Sequence, residues 1–160
     1  MTMNKTWAFN PGKQDYKPAR QLIRYLVEVT SRGGNYLLNV GPTPQGKFPS
    51  EAEERLREIG RWMAVNGQAI HDTTYGPLQD LAFARTTARG DVVYLHVLDW
   101  PTEGQIVIDC FPGRVSSVSL LAGNESLSFD QGTDRLVVRV PAQAPDETVS
   151  VLAIQRQQEG

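Results

Sequence analysis

The stretch that most constrains the fold of this chain is residues 31–49, SRGGNYLLNVGPTPQGKFP. It begins with a glycine pair, Gly33 and Gly34, and only a residue without Cβ enters the left-handed backbone of a helix end freely. A near-continuous apolar run follows at residues 36–40, and a loop rich in Gly, Pro and Thr comes after it. Such a run between turn signals predicts a strand buried on both faces of a parallel sheet, with a helix on each side.

Both flanking segments have the period of an amphipathic helix. Residues 18–32, PARQLIRYLVEVTSR, place their apolar side chains in one stripe and their charged side chains opposite. Glu28, on the charged side, is expected to form solvated ion pairs with the arginines four residues before and after it. The second helix is expected to start at a capping box formed by Ser50 and Glu53. With the apolar stretch that opens the chain, the order strand, helix, strand predicts a βαβ crossover.

From residue 81 onward the pattern changes from helical to alternating. Turn signals separate seven candidate strands, and this spacing predicts an antiparallel β-sandwich. The candidate strands are residues 83–86, 92–98, 105–109, 115–121, 127–129, 135–140 and 148–154. We therefore expect an α/β part in residues 1–77 and an all-β part in residues 78–160, with a hinge at residues 77–80.

Charge and residue usage argue against several kinds of partner. The chain has 16 basic and 18 acidic residues, a net charge of −2 and no basic stripe, so no nucleic-acid partner is expected. No apolar run approaches the roughly 18 residues of a membrane helix, so no membrane partner is expected either. The single cysteine, Cys110, excludes an intrachain disulfide and is expected to be a buried, inert thiol.

Neither a metal nor a cofactor is expected. His71 and His96 lack the spacing of metal ligands. His96 alternates with apolar residues, which favours a hydrogen-bonded histidine inside a sheet. No glycine-rich phosphate loop follows a predicted strand, because the glycine pair at residues 33–34 precedes one.

Trp7 is the candidate binding residue. It lies in the opening segment, MTMNKTWAFNPGKQDY, whose pattern is typical of a strand end followed by a loop. Loops at the C-terminal rim of a parallel barrel carry substrate contacts. A tryptophan beside such a loop serves either as a packing residue or as a platform for the apolar face of a sugar, and the residues alone leave both interpretations open.

The first 77 residues resemble the C-terminal end of the catalytic barrel in family 29 glycoside hydrolases, the α-L-fucosidases. The resemblance rests on GGNYLLNVGPTPQGKFP, with MTMNKTWAFN before it and EERLREIGRWMAVNGQAIHDT after it. It implies the last two βα units of a (β/α)8-type barrel, followed by a C-terminal antiparallel β-sandwich. It also implies that Trp7 matches an aromatic residue that lines the sugar pocket against the fucose ring and its methyl group. Ala8 and Phe9 stand where the family pattern has Gly and Tyr.

The resemblance also locates the catalytic groups. A retaining glycosidase uses two carboxyl groups about 5–5.5 Å apart, one as the nucleophile and one as acid and then base. In the fucosidase family both lie on earlier barrel segments, upstream of Met1, so no catalytic residue is expected in this chain. Its own acidic residues are scattered and are expected to act as caps, turn residues and solvated pairs. Asn35 and Asn39, which flank the apolar run, are expected to hydrogen-bond loop backbone.

Three functions remain open at this point. The first is the C-terminal portion of a retaining α-L-fucosidase that hydrolyses terminal α-L-fucosyl linkages of a fucosylated glycan. The second is a non-catalytic carbohydrate-binding or accessory module that uses the sandwich face or Trp100, and the third is a purely structural fragment. Because two βα units cannot close an eight-stranded barrel, we expect association with the missing barrel portion, or self-association, through the open barrel edges.

Overall fold

A computed structural model describes residues 1–12, 15–79 and 81–158 of the chain. The helical elements come first, as α1 (Ala19–Ser31) and α2 (Ser50–Asn66), and α2 continues into a 3₁₀ turn at Gly67–Ala69. The strands follow as β1 (Thr74–Tyr75), β2 (Ala84–Arg89), β3 (Val92–Val97), β4 (Gln105–Asp109), β5 (Val115–Leu120), β6 (Ser126–Leu127), β7 (Phe129–Gln131), β8 (Arg135–Arg139) and β9 (Ser150–Arg156). Neither helix is long and apolar enough to cross a membrane within the part of the chain that the structure describes.

The strands form two antiparallel sheets that face each other across one core. The larger sheet has six strands in the order β1-β2-β3-β9-β5-β6, and the smaller has three in the order β4-β8-β7. Leu95, Ile108 and Leu136 are completely buried between them. The predicted antiparallel sandwich is confirmed. The predicted strand at residues 127–129 is divided, because β6 pairs with β5 in the larger sheet whereas β7 pairs with β8 in the smaller.

The larger sheet is covered on both faces. Side chains alternate along a strand, so successive residues of β3 point in opposite directions. Val93 and Leu95 belong to the core between the sheets, whereas Tyr94 belongs to a second cluster with Val27 of α1 and Trp62 of α2. The helices therefore form a third layer on the outer face of the six-stranded sheet, and β3 and its neighbour β9 are buried on both sides.

The predicted strand at residues 36–40 is not buried on both faces, so that prediction is wrong. Leu37 is 72% exposed. The segment forms one isolated parallel bridge, in which Thr2 is opposite Asn39. Two-sided burial of a parallel strand requires helices over both faces. The described residues supply a single neighbouring segment here, so Leu37 stays open while Leu38 and Val40 pack in part against the cluster of Met3 and Leu22.

The two helices begin in the same way, with a proline as the residue before the first helical turn. Pro18 precedes α1 and Pro49 precedes α2, and neither helix has a side-chain cap hydrogen bond among the described residues. The predicted capping box of Ser50 and Glu53 is therefore wrong. The amide of Glu53 donates to the carbonyl of Pro49 at 3.0 Å, so Ser50 already lies inside the helix.

The expected hinge at residues 77–80 is tied to β2, except for Asp80, which lies outside the described residues. The amide of Gly76 donates to the carbonyl of Thr86 at 3.0 Å, and the hydroxyl of Thr86 donates to the carbonyl of Leu78 at 2.7 Å. A Cβ at Gly76 would lie 2.2 Å from that hydroxyl oxygen, so the close approach requires glycine. The connection is thus held by specific contacts to the larger sheet.

Candidate substrate-binding rim

Trp7 lies on an exposed loop, five residues after Thr2, which forms the parallel bridge with Asn39. Its side chain and backbone together are 67% exposed, whereas Trp62 is 4% exposed in the cluster beneath the larger sheet. Within this chain the indole of Trp7 is therefore open to solvent and available to a ligand. Lys13 and Gln14 lie outside the described residues.

The loop that carries Trp7 is joined to the loop that follows residue 39. The side-chain amide of Asn39 donates a hydrogen bond from Nδ2 to the carbonyl of Trp7 at 2.8 Å. A Cβ on Gly41 would lie 2.4 Å from the backbone N of Phe9 and 2.6 Å from the carbonyl carbon of Ala8. We call residues 7–9 and 39–41 the rim, because these two loops contact each other side by side next to the exposed indole.

Hydrogen bonds also hold the base of the Trp7 loop. The Nζ of Lys17 donates to the carbonyls of Thr2 at 2.8 Å and Asn4 at 3.3 Å. Asn4 is only 7% exposed, and its Oδ1 accepts a hydrogen bond from the amide of Thr6 at 3.3 Å. Lys17 thus hydrogen-bonds two backbone carbonyls that a neighbouring strand would otherwise bind.

Sequence reasoning found part of this site. The prediction that Asn39 hydrogen-bonds loop backbone is confirmed. Asn35, for which the same role was expected, is exposed and its side chain has no hydrogen bond among the described residues. The contacts of Gly41 and Lys17 were missed. A Gly-Pro pair at residues 41–42 signalled a loop, but the sequence does not indicate which backbone would lie against it.

Glu28 lies between two arginines. One of them is the expected Arg32, but the predicted ion pair with Arg24, four residues earlier, is wrong. Its carboxylate lies 2.7 Å from Arg32 and 2.6 Å from Arg85 on β2, while Arg24 binds the carbonyl of Leu98 and the carboxylate of Asp99. Burial acts to raise the pKa of Glu28, but the hydrogen bonds from Arg85 and Arg32 outweigh it and lower that pKa. Both carboxylate oxygens are paired with arginines, Oε1 with Arg32 and Oε2 with Arg85, and a general acid would need the opposite pKa shift, so Glu28 is a structural carboxylate.

A cleft of about 430 Å³ lies between the helices and the sandwich, and two acidic residues line it. Glu58 is paired with Arg55 at 3.4 Å. The Oδ1 of Asp146 accepts hydrogen bonds from the amides of Thr148 at 2.7 Å and Val149 at 3.3 Å. Each carboxylate thus has its own protein partner, one in an ion pair and one in a turn, which is the arrangement of structural acids.

His96 is completely buried and joins the sandwich to the end of the helical layer. The hydroxyl of Thr87 donates to the carbonyl of Ala69 at 2.7 Å, and its oxygen lies 2.9 Å from His96 Nε2. Since that hydroxyl has one proton, Nε2 of His96 must donate to it. Nδ1 of His96 has no partner among the described residues, and burial lowers the pKa of His96 to about 4. The histidine is neutral and structural.

Cys110 is exposed, which contradicts the prediction of a buried thiol. It adopts a positive φ of 54° directly after β4, where its amide donates to the carbonyl of Asp134 at 2.7 Å. This left-handed turn position faces solvent. Across the described ranges, no group of three or more His, Cys, Asp or Glu side chains is placed to hold a metal ion.

Trp100 and the outer face of the smaller sheet bear on the carbohydrate-module hypothesis. Nε1 of Trp100 donates to the carbonyl of Pro141 at 2.9 Å, and its ring packs against the sandwich core. The outward positions of the smaller sheet hold Val107, Val137 and the ion pairs Asp109–Arg135 and Asp130–Arg139. This face offers no aromatic platform among the described strands, so neither feature favours sugar binding by the sandwich.

Comparison with known families matches both parts of the chain. The family profile described as "Alpha-L-fucosidase" matches residues 1–68, and the one described as "Alpha-L-fucosidase C-terminal domain" matches residues 79–155. The plasma alpha-L-fucosidase of Rattus norvegicus is 36% identical over 152 residues, which cover 88% of this chain and 33% of the relative. The alpha-L-fucosidase of Branchiostoma floridae is 40% identical over 114 residues, covering 68% of this chain and 25% of that relative.

Solved structures agree over nearly the whole length. Alpha-L-fucosidase isoenzyme 1 from Paenibacillus thiaminolyticus superposes with a TM-score of 0.92 at 33% identity, covering 99% of this chain and 39% of that one. The Thermotoga maritima alpha-fucosidase in complex with a mechanism-based inhibitor gives a TM-score of 0.84 at 29% identity, covering 97% and 38%. The chain thus spans between a quarter and two fifths of these relatives. It belongs to the α-L-fucosidase family, and it corresponds to the C-terminal part of those proteins.

Proposed function

We propose that this polypeptide is the C-terminal portion of a retaining α-L-fucosidase that hydrolyses terminal α-L-fucosyl linkages. The nucleophile and the acid/base would come from segments that its relatives have and these 160 residues do not. The observation that carries the proposal is the superposition on a fucosidase over 99% of the chain, which includes the rim segment, the helices and the sandwich together. A sugar-binding module would need only the sandwich to match.

In this proposal, residues 1–77 are the last two βα units of the catalytic barrel and residues 78–160 are the sandwich domain. The parallel bridge between Thr2 and Asn39, with α1 between them in sequence, supports a strand–helix–strand unit. The helix α2 follows the second bridged segment, as a second unit requires. The antiparallel strands fall in the second domain, except β1 (Thr74–Tyr75), which lies just before the boundary and pairs with β2.

Trp7 would supply a contact to the substrate. Its indole follows the end of a bridged segment, where βα loops of a barrel carry substrate groups. An aromatic face buries the C–H groups and the methyl group of a fucosyl ring, while carboxylates from the rest of the barrel would act at the anomeric carbon. The expected ligand is therefore a fucosylated glycan, and the expected contribution of this chain is binding.

The partner would be the remaining barrel portion. Large apolar side chains are exposed on the proposed barrel segment: Met1 is 46% exposed, Leu37 72% and Phe48 57%. Exposed apolar residues of this size beside an unpaired strand edge are typical of a surface that another segment covers. Self-association through the same edge is the alternative.

The test is hydrolysis of an aryl α-L-fucoside by the purified chain, alone and mixed with a complementary barrel. That barrel is the Paenibacillus thiaminolyticus enzyme expressed without the region that matches this chain. We expect no turnover by either part alone and turnover by the mixture, and we expect Trp7→Ala to raise the KM of the mixture. Val107→Thr, a change on the opposite side of the sandwich, is the matched control.

Turnover by the 160-residue chain alone would overturn the assignment of the catalytic carboxylates to other segments. A mixture that associates but remains inactive would contradict the fucosidase proposal. Glycan binding by the chain alone, retained in Trp7→Ala, would favour the accessory-module alternative. Size-exclusion chromatography with light scattering separates association with the barrel from self-association.

A further inference from the structure

We propose that Asn39 and Gly41 are positioning residues that set the orientation of Trp7, and thereby the affinity for the sugar ring that it contacts. The consequence for the sugar rests on the proposed function, while the positioning itself rests on the rim geometry alone. The two residues act on the same short segment in different ways. Asn39 donates a hydrogen bond to the carbonyl of Trp7, and Gly41 leaves room for the peptide between Ala8 and Phe9.

Asn39 is well suited to fix the peptide plane of Trp7, because its own backbone amide and carbonyl are both hydrogen-bonded to the opening segment of the chain. Its amide donates to the carbonyl of Met1 at 2.9 Å, and its carbonyl accepts from the amide of Met3 at 3.1 Å. The Nδ2 that donates to the Trp7 carbonyl at 2.8 Å therefore starts from a fixed Cα. A hydrogen bond from a fixed donor to a backbone carbonyl orients that peptide, and with it the Cα–Cβ bond that carries the indole.

Gly41 acts through its missing side chain. The atoms that a Cβ would meet at 2.4 and 2.6 Å are the backbone N of Phe9 and the carbonyl carbon of Ala8. Backbone atoms have no rotamer to escape into, so any other residue at position 41 would push the peptide between Ala8 and Phe9 away. That peptide is the next one after Trp7. The contact is therefore a steric stop on the segment that Asn39 holds by hydrogen bonding.

The positioning is separable from folding. The parallel bridge, the Lys17 contacts to the loop base and the packing of α1 do not involve the Asn39 side chain. Trp7 is 67% exposed, so moving it exposes little further apolar surface. Variants at Asn39 should therefore keep the fold and change the rim.

The first measurement is ¹⁹F NMR of the full chain labelled with 5-fluorotryptophan. Trp7, Trp62 and Trp100 give three resonances, and the resonance that disappears in Trp7→Phe is that of Trp7. Asn39→Asp keeps the size of the side chain but removes the Nδ2 donor and places an acceptor against the Trp7 carbonyl. We expect the Trp7 resonance to move or broaden while the other two stay in place. Asn35→Asp, the same exchange at the exposed asparagine of the same segment, should leave all three unchanged.

The steric part has its own pair of variants. Gly41→Ala is expected to displace the Trp7 resonance. Gly60→Ala lies in α2, where a Cβ would meet nothing within 4 Å, and should leave it unchanged. A Trp7 resonance that is identical to wild type in both Asn39→Asp and Gly41→Ala would overturn the proposal. Far-UV circular dichroism of each variant checks that the chain is folded.

The functional consequence is measured in the reconstituted mixture described above. We expect Asn39→Asp to raise KM for the aryl α-L-fucoside about tenfold with a much smaller change in kcat, because a displaced platform weakens binding of the ring. A displaced Trp7 resonance with an unchanged KM would overturn the link to affinity. If the wild-type mixture is inactive, the fucosidase proposal fails while the ¹⁹F result still decides the positioning proposal.

Discussion

The sandwich and the segment before it are stabilised in different ways. The two sheets enclose a core of their own, with Leu95, Ile108 and Leu136 completely buried. The leading segment has a much smaller internal cluster, in which Met3 and Leu22 are the large buried residues. Most of its other buried hydrophobic core residues, Ile23, Val27, Trp62 and Ala69, pack on the outer face of the six-stranded sheet. The leading segment is therefore stabilised mainly by packing on the sandwich. No other described residue covers the opposite surface of that segment.

The largest expected effect comes from cutting the contact between the two regions. Trp62→Ala removes an indole that is 4% exposed and whose Nε1 donates to the carbonyl of Val149 at 2.9 Å. We expect a loss of about 3–5 kcal/mol in unfolding free energy, measured by urea denaturation. Hydrogen exchange should show α1 and α2 losing protection while β3 and β9 keep theirs.

Val65→Ala is the control for this comparison, because Val65 is 47% exposed on the same helix. We expect it to change stability by no more than about 0.5 kcal/mol. If the helices and the strands of the Trp62 variant lost protection equally, the view that the sandwich stays folded without the packed helices would be contradicted.

The second effect is the dependence of the junction on pH through His96. Its pKa is lowered from 6.5 to about 4 by burial, so between these values the unfolded chain binds the proton and the folded chain does not. The contribution of neutral His96 to the unfolding free energy is therefore fully present above pH 6.5, and it is lost as the pH decreases toward 4. The loss is on the order of 3 kcal/mol, because each tenfold difference in proton affinity between the folded and unfolded chains is worth about 1.4 kcal/mol.

Urea denaturation at a series of pH values measures this slope. His96→Gln should flatten it between pH 6.5 and 4, whereas His71→Gln, a change of an exposed side chain, should keep the wild-type slope. A slope that is the same in the His96 variant as in wild type would show that the buried imidazole is not its source.

A smaller effect is expected from the ion pair that links α1 to β2. Glu28→Gln weakens contacts to Arg85 at 2.6 Å and Arg32 at 2.7 Å, and we expect a loss of about 1 kcal/mol because the group is partly exposed. The pKa of Glu28 is lowered in the folded chain, so its contribution is present above about pH 4.3 and is lost as the pH falls through the folded value.

Glu53→Gln is the matched control, since Glu53 pairs with Arg57 inside α2 at 2.5 Å and joins no second element. It should cost about 0.3–0.5 kcal/mol by the same denaturation measurement. Identical losses for the two variants would mean that the bridge between the regions adds nothing beyond a helix surface pair.

The smallest effect tests the outer face of the smaller sheet. Val107→Thr changes a residue that is 37% exposed between two ion pairs, and stability should change by about 0.5 kcal/mol or less. The same exchange at Val138, which is completely buried, should cost about 1–3 kcal/mol, because it places a hydroxyl in the core. A thermal melt of both variants is sufficient, and similar losses would contradict the assigned strand faces.

The regular elements were predicted well because they depend on local periodicity. The apolar stripe of residues 18–32 has the helical period and became α1, and alternation located six of the seven predicted strands as single strands, while residues 127–129 are divided between β6 and β7. The prediction of two-sided burial for residues 36–40 failed because hydropathy records what a segment prefers and not whether neighbours are present. The two-residue strand β1 was missed, because it depends on pairing with β2 more than on its own sequence.

The candidate site was predicted only where one residue type carries the signal. Trp7 was selected because a tryptophan beside a polar loop has few roles, and its role in binding stays a prediction. The backbone hydrogen bond of Asn39 is confirmed, because an asparagine at a strand end often bonds backbone. Gly41 was missed because its role is the 2.4 Å approach of a peptide more than thirty positions earlier in the chain. The partner of Glu28 was missed for the same reason, since Arg85 is 57 positions away.

By itself the sequence determined the element types, the antiparallel second half and the resemblance to the fucosidases, because periodicity and the order of Gly, Asn and Pro are properties of the linear chain. The tertiary structure alone decided that the helices rest on the outer face of the six-stranded sheet, that β3 is buried on both sides, and that Asn39 and Gly41 flank the Trp7 peptide. Those facts depend on which distant residues meet, and a local pattern carries no record of distance in space.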